Sequence, residues 1–562
     1  MEKKASHRAP TVPTAEQILE KSTSGATFLM IGQLFTKMIS FVLNSVLVRF
    51  LSPRIFGITA FLEFIVGTVL FFSREAIRLS TLRIRDRDDE DDGVGDSSKG
   101  RSRVYQTAVN FGHIPLWIGF PLSIVLIAWQ YRNINEYFTN LPYFTLSIFL
   151  IWMSIVFELL SEPLFIVNQF MLNYATRSQF ESAAVTIGCF VNCGVILSFE
   201  KLTSSSVRTE ASREGTAILA FALGKLAHSM ALLACYYLHY LRNFKPKNLF
   251  RLRLTRIYAA NARKGYFFQH DISEHFKKVY FQLCFKHLLT EGDKLIINSL
   301  CTVEEQGIYS LLSNYGSLIT RLVFSQIEES LRLLLARLLA NERAKNLKLS
   351  MDVLLNITRF YAYLSLLILI FGPVNSPFLL QFLIGSKWST TSVLDTIRIY
   401  CFYLPFLAMN GVFEAFFQST ATGDQILKHS YFMMVFSGVF LVNCWLLIEY
   451  FGLSINGLII SNIINMALRL GYCTHFVNMF YKNLSTESSR SFYSLRNVKG
   501  ITLLSIAVWI VDWWVIGSVR NFHQLFLNVA LALLLLSVIL FMERESLRTL
   551  IGKSRISSSK NV

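Results

Sequence analysis

The sequence predicts an all-α polytopic membrane protein, and three observations carry that reading. Hydrophobic residues fill 53% of the 562 positions and charged ones only 16%, with a mean hydropathy of +0.43. No ordinary soluble domain of this size tolerates that balance. Phe (48) and Tyr (22) are abundant, as expected where aromatic rings meet lipid and the membrane interface. The basic residues behind the net charge of +17 lie between apolar segments, where they orient helices in a bilayer rather than bind nucleic acid.

Residues 1–24 are polar, with Lys3, Lys4 and Arg8, and no apolar run precedes a small-residue cleavage site. They read as a cytosolic segment, not a signal peptide. Apolar segments of spanning length follow at about 25–50, 55–79, 104–130, 143–168, 173–198 and 215–241. After a basic connector at 242–275 they resume at about 276–299, 305–332, 352–372, 391–419, 426–450, 453–480, 499–518 and 522–542. About 14 transmembrane helices result: an N-lobe of six (25–241), a C-lobe of six (276–482) and two more (483–543), before a basic tail at 544–562.

A repeat supports the halves. Shifting the chain by 250 places sets Leu47–Phe61, LVRFLSPRIFGITAF, over Ile297–Leu311, INSLCTVEEQGIYSL, so that Gly57 falls on Gly307 and Ile58 on Ile308. A helix, a tight turn and a Gly-Ile helix start, recurring half a molecule apart, point to two copies of one unit with a ligand path between them.

Loop charge sets the orientation. The 242–275 connector and the helix following it carry Arg242, Lys245, Lys247, Arg251, Arg253, Arg256, Arg263, Lys264, Lys277 and Lys278 against Asp271 and Glu274, which makes this side cytosolic. An even number of spans precedes it, so both termini are expected in the cytosol. The loop Arg83–Arg103 departs from the basic pattern, with mixed charge, an acidic run at 86–96 and no periodicity. It reads as a disordered cytosolic loop. The sequons at Asn356 and Asn483 fall in the membrane or the cytosol under this topology and should carry no glycan. The eight cysteines are scattered, with no metal-ligand spacing.

Ionisable groups inside apolar spans are the candidate site, because each is costly in hydrocarbon and tends to face a partner or a watery cavity. Lys37 and Arg49 lie twelve positions apart on roughly one face of helix 1, about 18 Å apart along the axis. Arg74 and Arg78 stack one turn apart near the end of helix 2, where snorkelling to the headgroups is the plain alternative. Helix 4 ends with Glu158 and Glu162 before Pro163, and Glu414 holds a comparable place in the second half. Helix 7 carries Glu291, Asp293 and Lys294 in LLTEGDKLII, and helix 8 carries Arg321, Glu328, Glu329 and Arg332. Helix 12 holds Arg469 one turn after Asn465. Arginine and lysine suit a diphosphate, while carboxylates and Asn suit sugar hydroxyls. No phosphate-binding GxxxxGK[ST], zinc motif, nucleophile elbow or lipidation signal occurs, and no cofactor is implied.

The segments QLFTKMISFVLNSVLVRFLSPRIFGITAF, FFSREAIRLSTLRI, FELLSEPLF, LLTEGDKLI, FSQIEES and NIINMALRL, in this order over most of the chain, resemble the Rft family of endoplasmic-reticulum oligosaccharide translocation proteins, in a fungal-type version. That family is similar to the MOP exporter superfamily, which includes MATE exporters and the lipid II flippase MurJ. The resemblance implies two six-helix lobes with two further C-terminal helices and a central cavity opening to alternate sides. It also implies a partner, dolichyl-diphosphate-linked oligosaccharide of five mannoses and two N-acetylglucosamines, and a role in N-glycosylation, with the glycosylation machinery and membrane lipids as further partners. Lys37, Arg49, Arg74, Arg78, Glu291 and Arg469 match charged family motif positions. Residence in the endoplasmic reticulum rests on the resemblance alone, since no KDEL-type signal is present. Two other functions stay open at this point: a non-transporting factor that binds the lipid-linked oligosaccharide, and a cation-coupled antiporter using Glu291 or Asp293.

Overall fold

The computed structural model describes residues 38–82, 84, 97–171, 173–202, 209–258, 265–290, 297, 299–319, 324–339, 344–385, 388, 392–484 and 496–543. Among them the chain is helical with no strand, a single bridge pairing Ile257 with Tyr266. Two compact units emerge, one of residues 1–51 and 59–288, the other of 52–58 and 289–562.

The first unit contains α1 (Met38–Val48), α2 (Pro53–Thr81) except its first six residues, which belong to the second unit, α3 (Ser97–Gly112), α4 (Ile114–Asn133), the one-turn α5 (Glu136–Thr139), α6 (Phe144–Leu160), α7 (Glu162–Phe170), α8 (Tyr174–Leu202), α9 (Glu210–Asn243) and α10 (His270–Thr290) up to residue 288. Two expected spans are broken. The third bends at His113 and the fourth at Ser161, and a proline stands in the first turn of the helix that follows each break. Proline lacks the N–H that an unbroken helix needs yet fits a first turn, so α4 and α7 each restart on it. Thr209 caps α9 by accepting from the Ser212 amide at 3.2 Å.

The connector after α9 is held against α3 by two buried amide side chains. Gln106 donates to the carbonyls of Arg251 and Arg253 at 3.1 and 3.0 Å and accepts from the Arg251 amide at 2.9 Å. Asn110 donates to the carbonyls of Thr255 and Phe267, both at 2.8 Å. These bonds satisfy an irregular backbone that no ladder supports. Lys245, Lys247, Arg251, Arg253 and Arg256 stay exposed, while Phe244 and Phe250 enter a core with Phe111, Phe165 and Tyr236 and Ile257 is buried.

The second unit contains α11 (Val303–Ile319), α12 (Ser325–Leu339), α13 (Ala344–Ile384), α14 (Val393–Thr420), α15 (Gly423–Trp445), α16 (Ser454–Leu484), α17 (Arg496–Val515) and α18 (Phe522–Met542). The central helix is α14, packed against α11, α12, α13 and α16. Its Val412, Phe416 and Phe417 join Leu331, Leu354 and Val477 in the core. The ninth span, expected to stop at 372, continues for 41 residues through Pro373 and Pro377, as a helix can in lipid where its neighbours cover the gaps. The terminal pair α17 and α18 packs on α13 through Ile501, Leu535 and Ile539 against Tyr363 and Phe371.

The repeat found in the sequence becomes a helix crossing. A Cβ on Gly57 would lie 1.9 Å from the Val303 carbonyl oxygen, and one on Gly307 would lie 2.0 Å from the Pro53 carbonyl oxygen. Pro53 and Val303 are themselves 250 apart, as are Arg54 and Glu304, which pair at 3.6 Å. Each glycine therefore meets the residue four before its counterpart, the mark of a local two-fold axis. At the start of α11 the Thr302 hydroxyl accepts from the Glu305 amide at 3.3 Å and the Glu305 carboxylate accepts from the Thr302 amide at 2.7 Å, a reciprocal cap.

Beside that cap, outside the spans, burial pushes the Cys301 thiol up to about 12, with the Glu305 carboxylate adding to the shift. The reactive thiolate is then scarce at neutral pH. Maleimide at pH 7.5 is expected to leave Cys301 unmodified in the folded protein and to label it once denatured, read by mass spectrometry. Rapid labelling of the native protein would contradict this.

Nine helices among the described residues are long and apolar enough to cross a membrane, with two shorter apolar ones at Met38–Val48 and Gly500–Val515. The expected twelfth span is the helix α16, whose Arg469 and asparagines make it more polar than these. The expected seventh and eighth spans run across residues outside those described.

Candidate functional site

On α2, Glu63 and Arg74 are eleven positions apart, three helical turns, and Arg78 follows one turn later. One face of a mostly apolar helix therefore carries three charges, and Glu75 beside them stands 3.7 Å from Arg78. The helices α6 and α7, redirected at Ser161, bring Glu158 and Glu162 to that face. Arg74 donates from Nη1 to Glu158 Oε1 at 2.7 Å and stands 3.5 Å from Glu162 Oε1. Arg78 grips Glu162 with two donors, Nε to Oε2 at 3.0 Å and Nη2 to Oε1 at 2.5 Å. Its guanidinium also lies 3.7 Å from the centroid of the Phe165 ring. The Glu162 side chain is only 1% exposed. Two cations and two anions neutralise each other in a bidentate geometry suited to low dielectric.

The same unit holds a second charge pair that the sequence reading did not single out. Lys225 of α9 donates from Nζ to Glu63 Oε1 at 2.5 Å. A close crossing of α8 and α9 places Lys225 there: a Cβ on Gly188 would sit 2.8 Å from the Gly224 oxygen, and one on Gly224 would sit 2.9 Å from the Gly188 oxygen. This pair is open, with the lysine side chain 28% and the glutamate side chain 58% exposed. The eleven-residue spacing to Arg74 was the available signal for Glu63. Lys225, a lone lysine in a long apolar run, carried the same signal of cost in hydrocarbon, but nothing along the chain pointed to its partner.

In the second unit, α12 and α14 repeat the arrangement with different chemistry. Glu414 stands 256 positions after Glu158 and Gln418 the same distance after Glu162. Arg332 pairs with Glu329 and donates to Gln418 Oε1 at 3.0 Å. Gln418 and Asn410 each donate to Glu414 at 3.1 Å. Glu328 rests on Gly411, where a Cβ would lie 1.9 Å from its Oε1, within electrostatic reach of Glu414. On α16, Asn465 is buried, and neither its Oδ1 nor the Nε of Arg469 has a hydrogen-bond partner among the described residues. His429, stacked on Phe417 at 4.5 Å, lies within electrostatic reach of both Arg469 and Glu414.

Of the residues expected to form the site, Arg74, Arg78 and Glu158 come together, joined by Glu162. Glu328 and Glu329 gather near Glu414, and Asn465 and Arg469 present unsatisfied polar atoms. Arg49 is exposed in the turn after α1. Lys37, Glu291, Asp293, Lys294 and Arg321 lie outside the described residues, as does the acidic run at 86–96.

A family model described as Rft protein matches residues 21–553. The Saccharomyces cerevisiae protein named Man(5)GlcNAc(2)-PP-dolichol translocation protein RFT1 is 65% identical over 98% of both chains. Proteins of the same name from Candida albicans and Mus musculus are 37% and 25% identical, over 93% and 97% of this chain and 94% and 99% of their own. Among solved structures, the lipid II flippase MurJ in an inward closed conformation is similar with a TM-score of 0.57 at 12% identity, covering 92% of this chain and 99% of its own. An inward-facing MATE family transporter of the MOP superfamily gives 0.51 at 13% identity, covering 80% of this chain and 96% of its own. At these identities the likeness shows the fold alone, one shared with MurJ and the MATE family transporter.

Proposed function

This chain belongs to the Rft protein family, and from that membership we propose that it carries a dolichyl-diphosphate-linked oligosaccharide from the cytosolic to the lumenal leaflet of the endoplasmic-reticulum membrane, supplying protein N-glycosylation. The carrying observation is the 65% identity, end to end, with a protein named for translocating Man(5)GlcNAc(2)-PP-dolichol. The work is transport without covalent change, so no residue is assigned a catalytic role. Lys37, Arg49 and Arg469 hold the diphosphate, and Glu291, Asp293 and Asn465 take sugar hydroxyls. The dolichyl tail stays in lipid while the lobes, 25–241 and 276–482, rock around the headgroup with both termini in the cytosol. The closed arginine–glutamate ladder of α2, α6 and α7 supports assigning Arg74 and Arg78 to shaping the bundle.

Proteoliposomes holding the purified protein are expected to move the headgroup of a defined lipid-linked oligosaccharide between leaflets, and Arg49→Ala or Glu291→Ala to abolish that movement. Full activity in both variants would remove the site assignment. A wild type that binds the lipid yet moves nothing would replace translocation with the role of a binding factor.

A further inference from the structure

We propose that Lys225 is the exchangeable cation of the first unit, held by Glu63 until the diphosphate of a lipid-linked substrate displaces the carboxylate; this rests on the translocation function proposed above. Among the described residues, Arg74, Arg78 and Lys225 each lie within hydrogen-bond reach of a carboxylate carried on α2, α6 or α7, and they differ in how firmly they are held. Arg74 and Arg78 are gripped by carboxylates 12% and 1% exposed, and Arg78 is bidentate and stacked on Phe165. Breaking such a pair strands a charge in low dielectric. Lys225 makes one side-chain hydrogen bond, to a glutamate more than half exposed. An open Lys–Glu pair of this kind has little net strength, so an incoming dianion can compete for it.

The depth of the pair sets what it meets. Glu63 and Lys225 each lie about 15 Å or more from either end of their helices at 1.5 Å per residue, in a hydrocarbon layer about 30 Å thick. Exposed charges at that depth face a watery recess, since lipid would penalise both. The recess is polar on its walls. Cys189, within electrostatic reach of Lys225 and Glu63, points its thiol at the Ser40 hydroxyl at 3.9 Å. One turn further along α8, Asn192 packs against Gly224 and keeps its buried Oδ1 without a hydrogen-bond partner. A lysine beside neutral polar groups and one displaceable carboxylate is chemistry for a phosphate oxygen; Arg78, held at two points by a buried glutamate, is not.

The test is binding to the full-length protein in nanodiscs of zwitterionic lipid, read as adducts by native mass spectrometry. A sugar-free polyprenyl diphosphate is titrated in one arm and phosphatidylserine in the other. Lys225→Met is expected to weaken diphosphate binding about tenfold, the worth of one charge-assisted hydrogen bond, and Lys225→Arg to retain it. Glu63→Gln is expected to tighten it about threefold, because the competitor is gone. Glu63→Gln weakening binding as much as Lys225→Met would make the pair a structural strut and overturn the proposal. So would a wild type that ignores the diphosphate or takes phosphatidylserine equally well. If Lys225→Met fails to fold, the direction of the Glu63→Gln effect still decides. Binding through Lys225 in a protein that moves no headgroup would defeat translocation alone. Unimpaired translocation and binding in a folded Lys225→Met protein would defeat this assignment alone.

Discussion

Replacing Gly57 with alanine is expected to destabilise the protein by about 3 kcal/mol, at the upper end of overpacking costs. The added methyl would fall 1.9 Å from the Val303 carbonyl oxygen and 3.0 Å from the Gly307 nitrogen. Both obstacles are helix backbone, so no rotamer change can clear them and the helices must separate. Gly307→Ala meets the mirror-image obstacle, 2.0 Å from the Pro53 oxygen. Because both substitutions part the same crossing, the double variant is expected to lose less than the sum of the singles. Gly67→Ala is the control: nothing lies within 4 Å of its Cβ position, and alanine is the better helix former by about 1 kcal/mol. Thermal midpoints in detergent read all four variants. A Gly57→Ala protein as stable as Gly67→Ala would show that this crossing is not a close contact in the folded molecule.

The second large effect belongs to Glu162. Glu162→Ala leaves Arg78 without its bidentate partner and Arg74 with Glu158 alone, at a site where the glutamate side chain is 1% exposed. Removing one member of such a pair destabilises by about 3–5 kcal/mol, since the remaining charge stays buried. Arg78→Met combined with Glu162→Met removes both charges and keeps the volume, so it is expected to be milder than either single change. The same double variant separates packing from ligand contact. If Arg78 serves only to hold α2 against α7, the stable double variant still moves lipid-linked oligosaccharide. Loss of transport at unchanged stability would return Arg78 to the substrate site.

Much of this molecule is local in origin and therefore legible in the chain. Helices follow from apolar runs of spanning length, and their starts from Thr209, Thr302 and the prolines at 115 and 163. The 250-residue repeat exposed the Gly57–Gly307 relation because a glycine with no room for a Cβ leaves its mark in both copies. Arg74, Arg78 and Glu158 could be picked out one at a time, as each is costly in hydrocarbon.

By itself, then, the sequence determined the membrane class, the helical segments, the internal repeat and which side chains were too polar for lipid. Only the tertiary structure decided which charges cancel. Arg78 and Glu162 are 84 positions apart and Lys225 and Glu63 are 162 apart, so no helical period links them. The bend at Ser161 and the glycine crossing of α8 with α9 bring them within reach. The reason is physical: hydropathy and helical period are properties of neighbours along the chain, whereas the neutralisation of a buried charge depends on what packing places beside it.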